Sequence, residues 1–212
     1  MNKLVISTTL ILTISLMASC YTRGYLATPP PKVMAKQDKR MLKAIKTYGR
    51  TGDWILVRGY LKSSDFIADV TGGVFSHAAI LDKDMNQVIE SDHTGVHTTS
   101  LNLFTNESHR MVIVRPKWRT NRKVGKRAVE EARKLIGKPY NFTGLIGISM
   151  PNSYYCSELV TQAYKAFIHQ SDKLPAVITP LELLNWGRIV YDTGVRTLPN
   201  DSTVNYDKDL EE

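Results

Sequence analysis

Between Phe75 and Ser91 the sequence spells out two strands and the turn that joins them. Phe75 to Leu81 alternates with period two, placing Phe75, His77, Ala79 and Leu81 on one face. Asp82-Lys83-Asp84-Met85 is turn-forming, and Asn86 to Ser91 returns as the second strand of a hairpin. Pairing Leu81 with Asn86 sets His77 opposite Glu90, with Cβ atoms about 5 Å apart and a His-to-carboxylate hydrogen bond within reach. A slip of one residue would put the two on opposite faces. Taken alone, Glu90 reads as an edge charge and His77 as an ordinary sheet histidine, since a lone histidine on an apolar strand face is more often core than catalyst.

Around this hairpin the chain alternates strands with helices. Trp54-Ile55-Leu56-Val57, Gly95 to Thr99 and Arg110 to Arg115 read as further strands, and Gly187 to Asp192 as a last one. Val33 to Tyr48 has apolar Met34, Met41, Leu42 and Ile45 at helical spacing and ends at Gly49. Ser63-Ser64-Asp65 starts a short helix to Val70. Thr120 to Ile136 is the longest helix expected, with Val124, Ala128, Ala132, Leu135 and Ile136 as its buried stripe and Gly137-Lys138-Pro139 as its stop. Thr179-Pro180-Leu181-Glu182 is a capping box opening a short helix to Trp186. Ser100 to His109 and Tyr140 to Ser153 are read as loops. The expected fold is α+β: an antiparallel sheet of five to six strands packed against helices, in one domain spanning residues 33–199.

The chemistry concentrates at Tyr154-Tyr155-Cys156-Ser157-Glu158-Leu159-Val160. Cys156, Leu159, Val160, Ala163, Tyr164 and Phe167 recur at i, i+3, i+4 spacing, so a helix begins at Cys156 and turns it inward. Unpaired N–H groups and the positive dipole end at a first helical turn favour thiolate over thiol. That suits a nucleophile, while a buried structural cysteine fits the same stripe.

The chain opens with Lys3, an apolar run from Leu4 to Met17 and then Ala18-Ser19-Cys20, the pattern of an export signal over residues 1–19. Met17-Ala18-Ser19-Cys20 resembles a bacterial lipoprotein signal, which implies lipidation of Cys20 and a membrane anchor. An ordinary cleaved signal or an uncleaved anchor is the alternative. With Tyr21 and not Asp after the cysteine, the general sorting pattern implies an outer-membrane destination facing the periplasm. Residues 20–32, with Pro29-Pro30-Pro31, read as an extended tether, and residues 200–212 as an acidic tail. The chain has 2 cysteines; a lipidated Cys20 leaves Cys156 a lone thiol outside the cytoplasm, where cysteines usually pair. His93 and His97 are four apart, but Thr94-Gly95 between them breaks any helix that would align them, so no metal is expected. Loss of Lys3 with the leader lowers the net charge from +8 to +7. The basic run Arg115 to Lys138 reads as a solvated helix face or as a surface for anionic partners. No nucleic-acid motif and no cofactor motif is present.

Thr51-Gly52-Asp53-Trp54-Ile55-Leu56, Phe75-Ser76-His77-Ala78-Ala79-Ile80, Val88-Ile89-Glu90-Ser91, Gly137-Lys138-Pro139-Tyr140-Asn141 and Tyr155-Cys156-Ser157-Glu158-Leu159-Val160 together resemble the permuted papain-like enzymes of the NlpC/P60 superfamily, YaeF/YiiX group. His77 preceding Cys156 is the order of the permuted branch. The resemblance implies a thiol hydrolase with a Cys156–His77–Glu90 triad, and Tyr155 and Tyr140 as candidate pocket residues. The Cys156 N–H would be one oxyanion donor.

Three functions follow from this reading. The first is hydrolysis of an amide in an envelope substrate, a cell-wall peptide or an N-acyl compound. The second is lipid acyl transfer or hydrolysis of the lecithin:retinol acyltransferase-like type, whose Asn-Cys-Glu-His-Phe signature is missing. The third is ligand binding without chemistry.

Overall fold

The computed structural model describes residues 31–60, 64, 67–68, 73–106, 108–144, 147–148 and 150–194. The leader, Cys20, the tether up to Pro30 and everything from residue 195 on lie outside the described residues. In chain order the elements are α1 (Pro31–Tyr48), β1 (Trp54–Gly59), β2 (His77–Asp82), β3 (Gln87–Asp92), β4 (Gly95–Ser100), α2 (Leu101–Asn106), β5 (Ser108–Pro116), α3 (Arg122–Arg133), α4 (Cys156–Gln162) and β6 (Gly187–Asp192). Of the short helix expected at 63–70, the described residues Ser64, Ile67 and Ala68 are helical. Among the described residues no helix is long and apolar enough to cross a membrane.

Among the described residues six strands form one antiparallel sheet in the order β4-β3-β2-β1-β5-β6. Its alternation divides the core in two. Trp54, Leu56, Ala78, Ile80, Ile89, Val112 and Val114 pack with Ala128, Val129 and Ala132 of α3 and Leu159 and Val160 of α4. Ile55, Val57, Ala79, Leu81, Val88, Met111 and Ile113 pack on the other face with Met41, Ala44 and Ile45 of α1 and Leu101 and Phe104 of α2. Full burial of each such large side chain contributes about 1.5–3 kcal/mol, so both faces of the sheet are held.

Several boundaries differ from the sequence expectation. Pro31 and Lys32, assigned to the tether, are the first residues of α1, because proline at the first helical position gives up no intrahelical hydrogen bond. The segment read as a loop from Ser100 to His109 holds α2, too short to register as a period. The long helix is trimmed to α3: Asn121 Oδ1 accepts from the Val124 N–H at 3.1 Å as N-cap, and Ile136, expected in the stripe, is 45% exposed. The helix from Cys156 ends at Gln162, and a separate 3-10 turn carries Phe167. The Thr179–Glu182 capping box forms reciprocally, at 2.7 and 3.2 Å, but heads a 3-10 turn, Glu182–Trp186.

The hairpin register is corrected as well. Leu81 pairs with Val88 and Asp82 with Gln87, so Glu90 lies opposite Ala79 and not opposite His77. Asn86 is the reason. It adopts a left-handed conformation (φ 54°) after the 3-10 turn Lys83–Met85, a role asparagine tolerates, and cannot start the strand. The turn slides one residue along the chain, which moves the pairing by two positions. A shift of two preserves the face, so His77 and Glu90 become diagonal neighbours on the same side.

Candidate active site

His77 is the first residue of β2, opposite Val57 of β1. Val57 and Ala79 belong to the α1 side of the sheet, and the His77 ring lies 6.1 Å from that of Phe104. The imidazole therefore stands on the face away from α4, whereas the sequence reading grouped it with Phe75, which packs on the α4 side. Cys156 reaches it through a break in the sheet. The β2–β3 ladder stops at Ala79–Glu90, although β2 begins two residues earlier and β3 continues to Asp92 in its pairing with β4. The head of α4 fills the opening: Ser91 Oγ donates to the Tyr154 carbonyl at 2.6 Å, and the Ala78 N–H is turned toward the Cys156 sulfur, where it favours the thiolate.

Glu90 Oε2 lies 2.6 Å from His77 Nε2. The carboxylate is 10% exposed and the imidazole 21%. Burial alone would hold His77 neutral, but the Cys156 thiol and the Glu90 carboxylate reverse this and raise its pKa above the ordinary 6.5. Burial likewise pushes the Cys156 thiol up, and His77, Ser157 and the Ala78 N–H overcome it and bring its pKa below the usual thiol value. Both shifts favour the thiolate–imidazolium pair. The His77 carboxylate partner is itself held below the carboxylate range by His77 despite its burial. Such a pair can deliver a nucleophilic sulfur and, from the same ring, a proton.

The structure thus brings Cys156, His77 and Glu90 together. Tyr155 is buried, its hydroxyl accepting from the Ile178 N–H at 3.1 Å and its phenol pushed up to about 12 by burial; its ring packs where a Cβ on Gly144 would come within 2.3 Å. Tyr140 stands edge-on to Phe142 at 4.9 Å. Of the remaining histidines in this region, His93 is 45% exposed beside Asp92.

His97 was not foreseen as a partner of Glu90. It lies directly opposite Glu90 on β4, with Nε2 3.6 Å from Oε1, and its Nδ1–H donates to the Gly95 carbonyl at 3.0 Å. Pairing Asp92 with Gly95 across the two-residue loop His93-Thr94 would have revealed it. Ser157 is fully buried with its Oγ 3.7 Å from the Cys156 sulfur, and nothing in its sequence position marks it out. Among the described residues no three His, Cys, Asp or Glu side chains are grouped so as to hold a metal ion.

Comparison with known families matches residues 48–182 to the permuted papain-like amidase enzymes, YaeF/YiiX, C92 family. The chain belongs to this family. The family is one of permuted papain-like amidase enzymes, and the matched span contains all three residues assembled above. A solved structure, metalloprotein yiiX from Escherichia coli O157:H7, is similar at 24% identity with a TM-score of 0.47, covering 56% of this chain and 66% of that one. No curated protein matches the chain.

Proposed function

We propose that this YaeF/YiiX-type amidase is an exported, lipid-anchored thiol hydrolase that cleaves an amide of an envelope substrate through an acyl-enzyme on Cys156. The observation that carries the reading is the buried thiol beside an imidazole whose Nε2 is 2.6 Å from the Glu90 carboxylate. The Cys156 thiolate attacks the amide carbonyl carbon, and the carbonyl oxygen takes the negative charge, facing the Cys156 N–H at the head of α4. His77 gives its proton to the leaving nitrogen as the C–N bond breaks, leaving a thioester and a free amine. Water, deprotonated by His77, then attacks the thioester; the acid departs and the thiol is restored. Glu90 keeps the ring oriented and stabilises its cationic form.

Export, lipidation of Cys20 and an outer-membrane location rest on the leader alone. Mass spectrometry of the mature N-terminus tests them, and an unmodified Cys20 would refute the anchor. Phe142, Ile148 and Met150, 54, 55 and 48% exposed on the segment leading to Cys156, favour an N-acyl substrate over a cell-wall peptide. They also keep the lecithin:retinol acyltransferase-like alternative in view. The deciding experiment incubates purified protein with N-acyl amine and cell-wall peptide fractions of envelope extracts, alongside Cys156→Ala. Release of a free amine with a transient acyl mass on the Cys156 peptide is expected. Acyl transfer to an alcohol or amine in place of water would establish the alternative, and turnover retained by Cys156→Ala would overturn the mechanism.

A further inference from the structure

A second set of charged groups lies at the other end of the sheet. Val57 is level with both His77 and Met111, and from Met111 strand β5 runs four residues, about 13 Å, to Arg115. There a cavity of about 350 Å³ is lined by Arg115, Lys117, Arg119, Trp186 and Arg188, with Pro116, Asn185 and Gly187 completing the wall. None of its lining residues is acidic. Behind the wall, fully buried Asp53 receives Arg115 through Nε and Nη2 at 2.9 and 2.7 Å, with Arg119 Nε 3.5 Å away. Lys117 is paired with Asp172 at 2.6 Å. Four cations thus face two carboxylates, and Arg188, exposed at the rim, has no carboxylate partner among the described residues.

Arg119 is the decisive group. Its side chain is 4% exposed, yet Nε, donating to the Thr51 carbonyl at 2.9 Å, makes its one described hydrogen bond. The Nη groups have no protein acceptor among the described residues and are not sealed from solvent, so they open onto the cavity. The guanidinium is also fixed in place: a Cβ on Gly125 would come within 2.8 Å of its Nε and 2.3 Å of the Thr51 carbonyl oxygen, so only glycine lets α3 lie against it. Guanidinium donors that open onto a cavity are available to an anionic ligand. Burial together with repulsion from Arg115 and Arg50 weakens the hold on its proton, which fits a surplus of positive charge.

We propose that this cavity binds the phosphate group of a small phosphate ester, with Arg119 and Arg188 as its principal donors and Lys117 at its edge. A phosphate monoester carries about 1.5–2 negative charges at neutral pH and three acceptor oxygens, which match the surplus of two positive charges and the planar donors of arginine. The volume exceeds what a bare ion fills and is at the lower end for small-ligand sites. The ester can be a soluble metabolite or a lipid headgroup, and the two sources differ in what the protein would follow.

The test uses the full mature chain carrying Cys20→Ser, so that no lipid anchor contributes, titrated calorimetrically with glycerol 3-phosphate and inorganic phosphate, with acetate as the carboxylate control, and sedimented with phosphatidic acid or phosphatidylcholine vesicles. Saturable binding of glycerol 3-phosphate, tighter than acetate and weakened about tenfold in Arg188→Ala, is expected. Arg188 has no described partner, so that variant leaves the fold intact; unchanged Cys156 alkylation verifies this. Sedimentation with phosphatidic acid and not with phosphatidylcholine, lost in Arg188→Ala, assigns the headgroup source; glycerol 3-phosphate binding without sedimentation assigns the soluble one. Absence of saturable phosphate-ester binding, binding indifferent to Arg188→Ala, or equal binding of acetate overturns the proposal.

Discussion

Replacing Glu90 by glutamine removes one negative charge while keeping the side chain's length and an acceptor oxygen 2.6 Å from His77. What is lost is the charge assistance. For a carboxylate 10% exposed, a hydrogen bond to a charged partner is worth about 1.5–3 kcal/mol, and at about 1.36 kcal/mol per pKa unit the imidazolium becomes roughly 1–2 units more acidic. The same free energy is withdrawn from the thiolate–imidazolium pair, whose formation constant relative to the neutral pair falls by a factor of about 10–150. The assay is the second-order rate of iodoacetamide alkylation of Cys156 between pH 5 and 9, followed by mass spectrometry. The native protein should react rapidly even near pH 6, because its thiol pKa is depressed by His77. In Glu90→Gln the rising limb should move up by about 1–2 units while the alkaline plateau is kept, and His77→Ala should move it further. His97→Gln is the internal control: its 3.6 Å contact with Glu90 involves a ring 35% exposed, so solvent limits its worth to below about 1 kcal/mol, and its limb should shift by less than one unit. Superimposable profiles for native protein and Glu90→Gln would refute the account of how Glu90 acts, and a native Cys156 inert below pH 8 would refute the ion pair itself.

Two predictions concern stability. Asp53→Asn takes the fully buried, two-pronged carboxylate away from the Arg115 guanidinium, itself 12% exposed, and should cost about 3–5 kcal/mol, read as a lowered urea midpoint at an unchanged slope; a loss below about 1 kcal/mol would contradict the pairing. The Asp172 carboxyl, receiving Lys117 and the Trp118 indole N–H, is lowered from 3.8 to about 2. Between those values the unfolded chain binds the proton more readily, so its contribution is complete above about pH 4 and disappears as the pH falls through about 2. Asp172→Asn should therefore be less stable than the native protein at pH 7 and equal to it near pH 2, in urea titrations at each pH; a pH-independent difference would count against this.

How much could be read in advance depended on the range of the interactions involved. Strands β1 to β6 followed from short apolar or alternating runs between turn residues, and α4 from its stripe, because burial writes a pattern into local sequence. The pairing of His77 with Glu90 survived a wrong register only because the turn slid by one residue and the ladder by two. Asn86 decides that slide, and its left-handed backbone leaves no periodic trace. His77 and Cys156 were recognisable as types, and their family context ordered them, but the face His77 occupies and the opening that admits the sulfur depend on where a ladder stops. That is set by α4 packing from 65 residues downstream of Ser91, beyond any local pattern. Helix α2 was missed because six residues carry fewer than two turns.

The interrupted ladder between β2 and β3 also constrains how the molecule can be altered. The Ala78 N–H, which further pairing with β3 would claim, is directed at sulfur. Sheet and nucleophile compete for the same donor. Two more rungs of regular pairing would make the hairpin stiffer and remove the space Cys156 occupies, so substitutions that lengthen β2–β3 pairing would raise hairpin stability while silencing the thiol. A well-zipped sheet and a reactive cysteine are, at this position, mutually exclusive states of the same backbone.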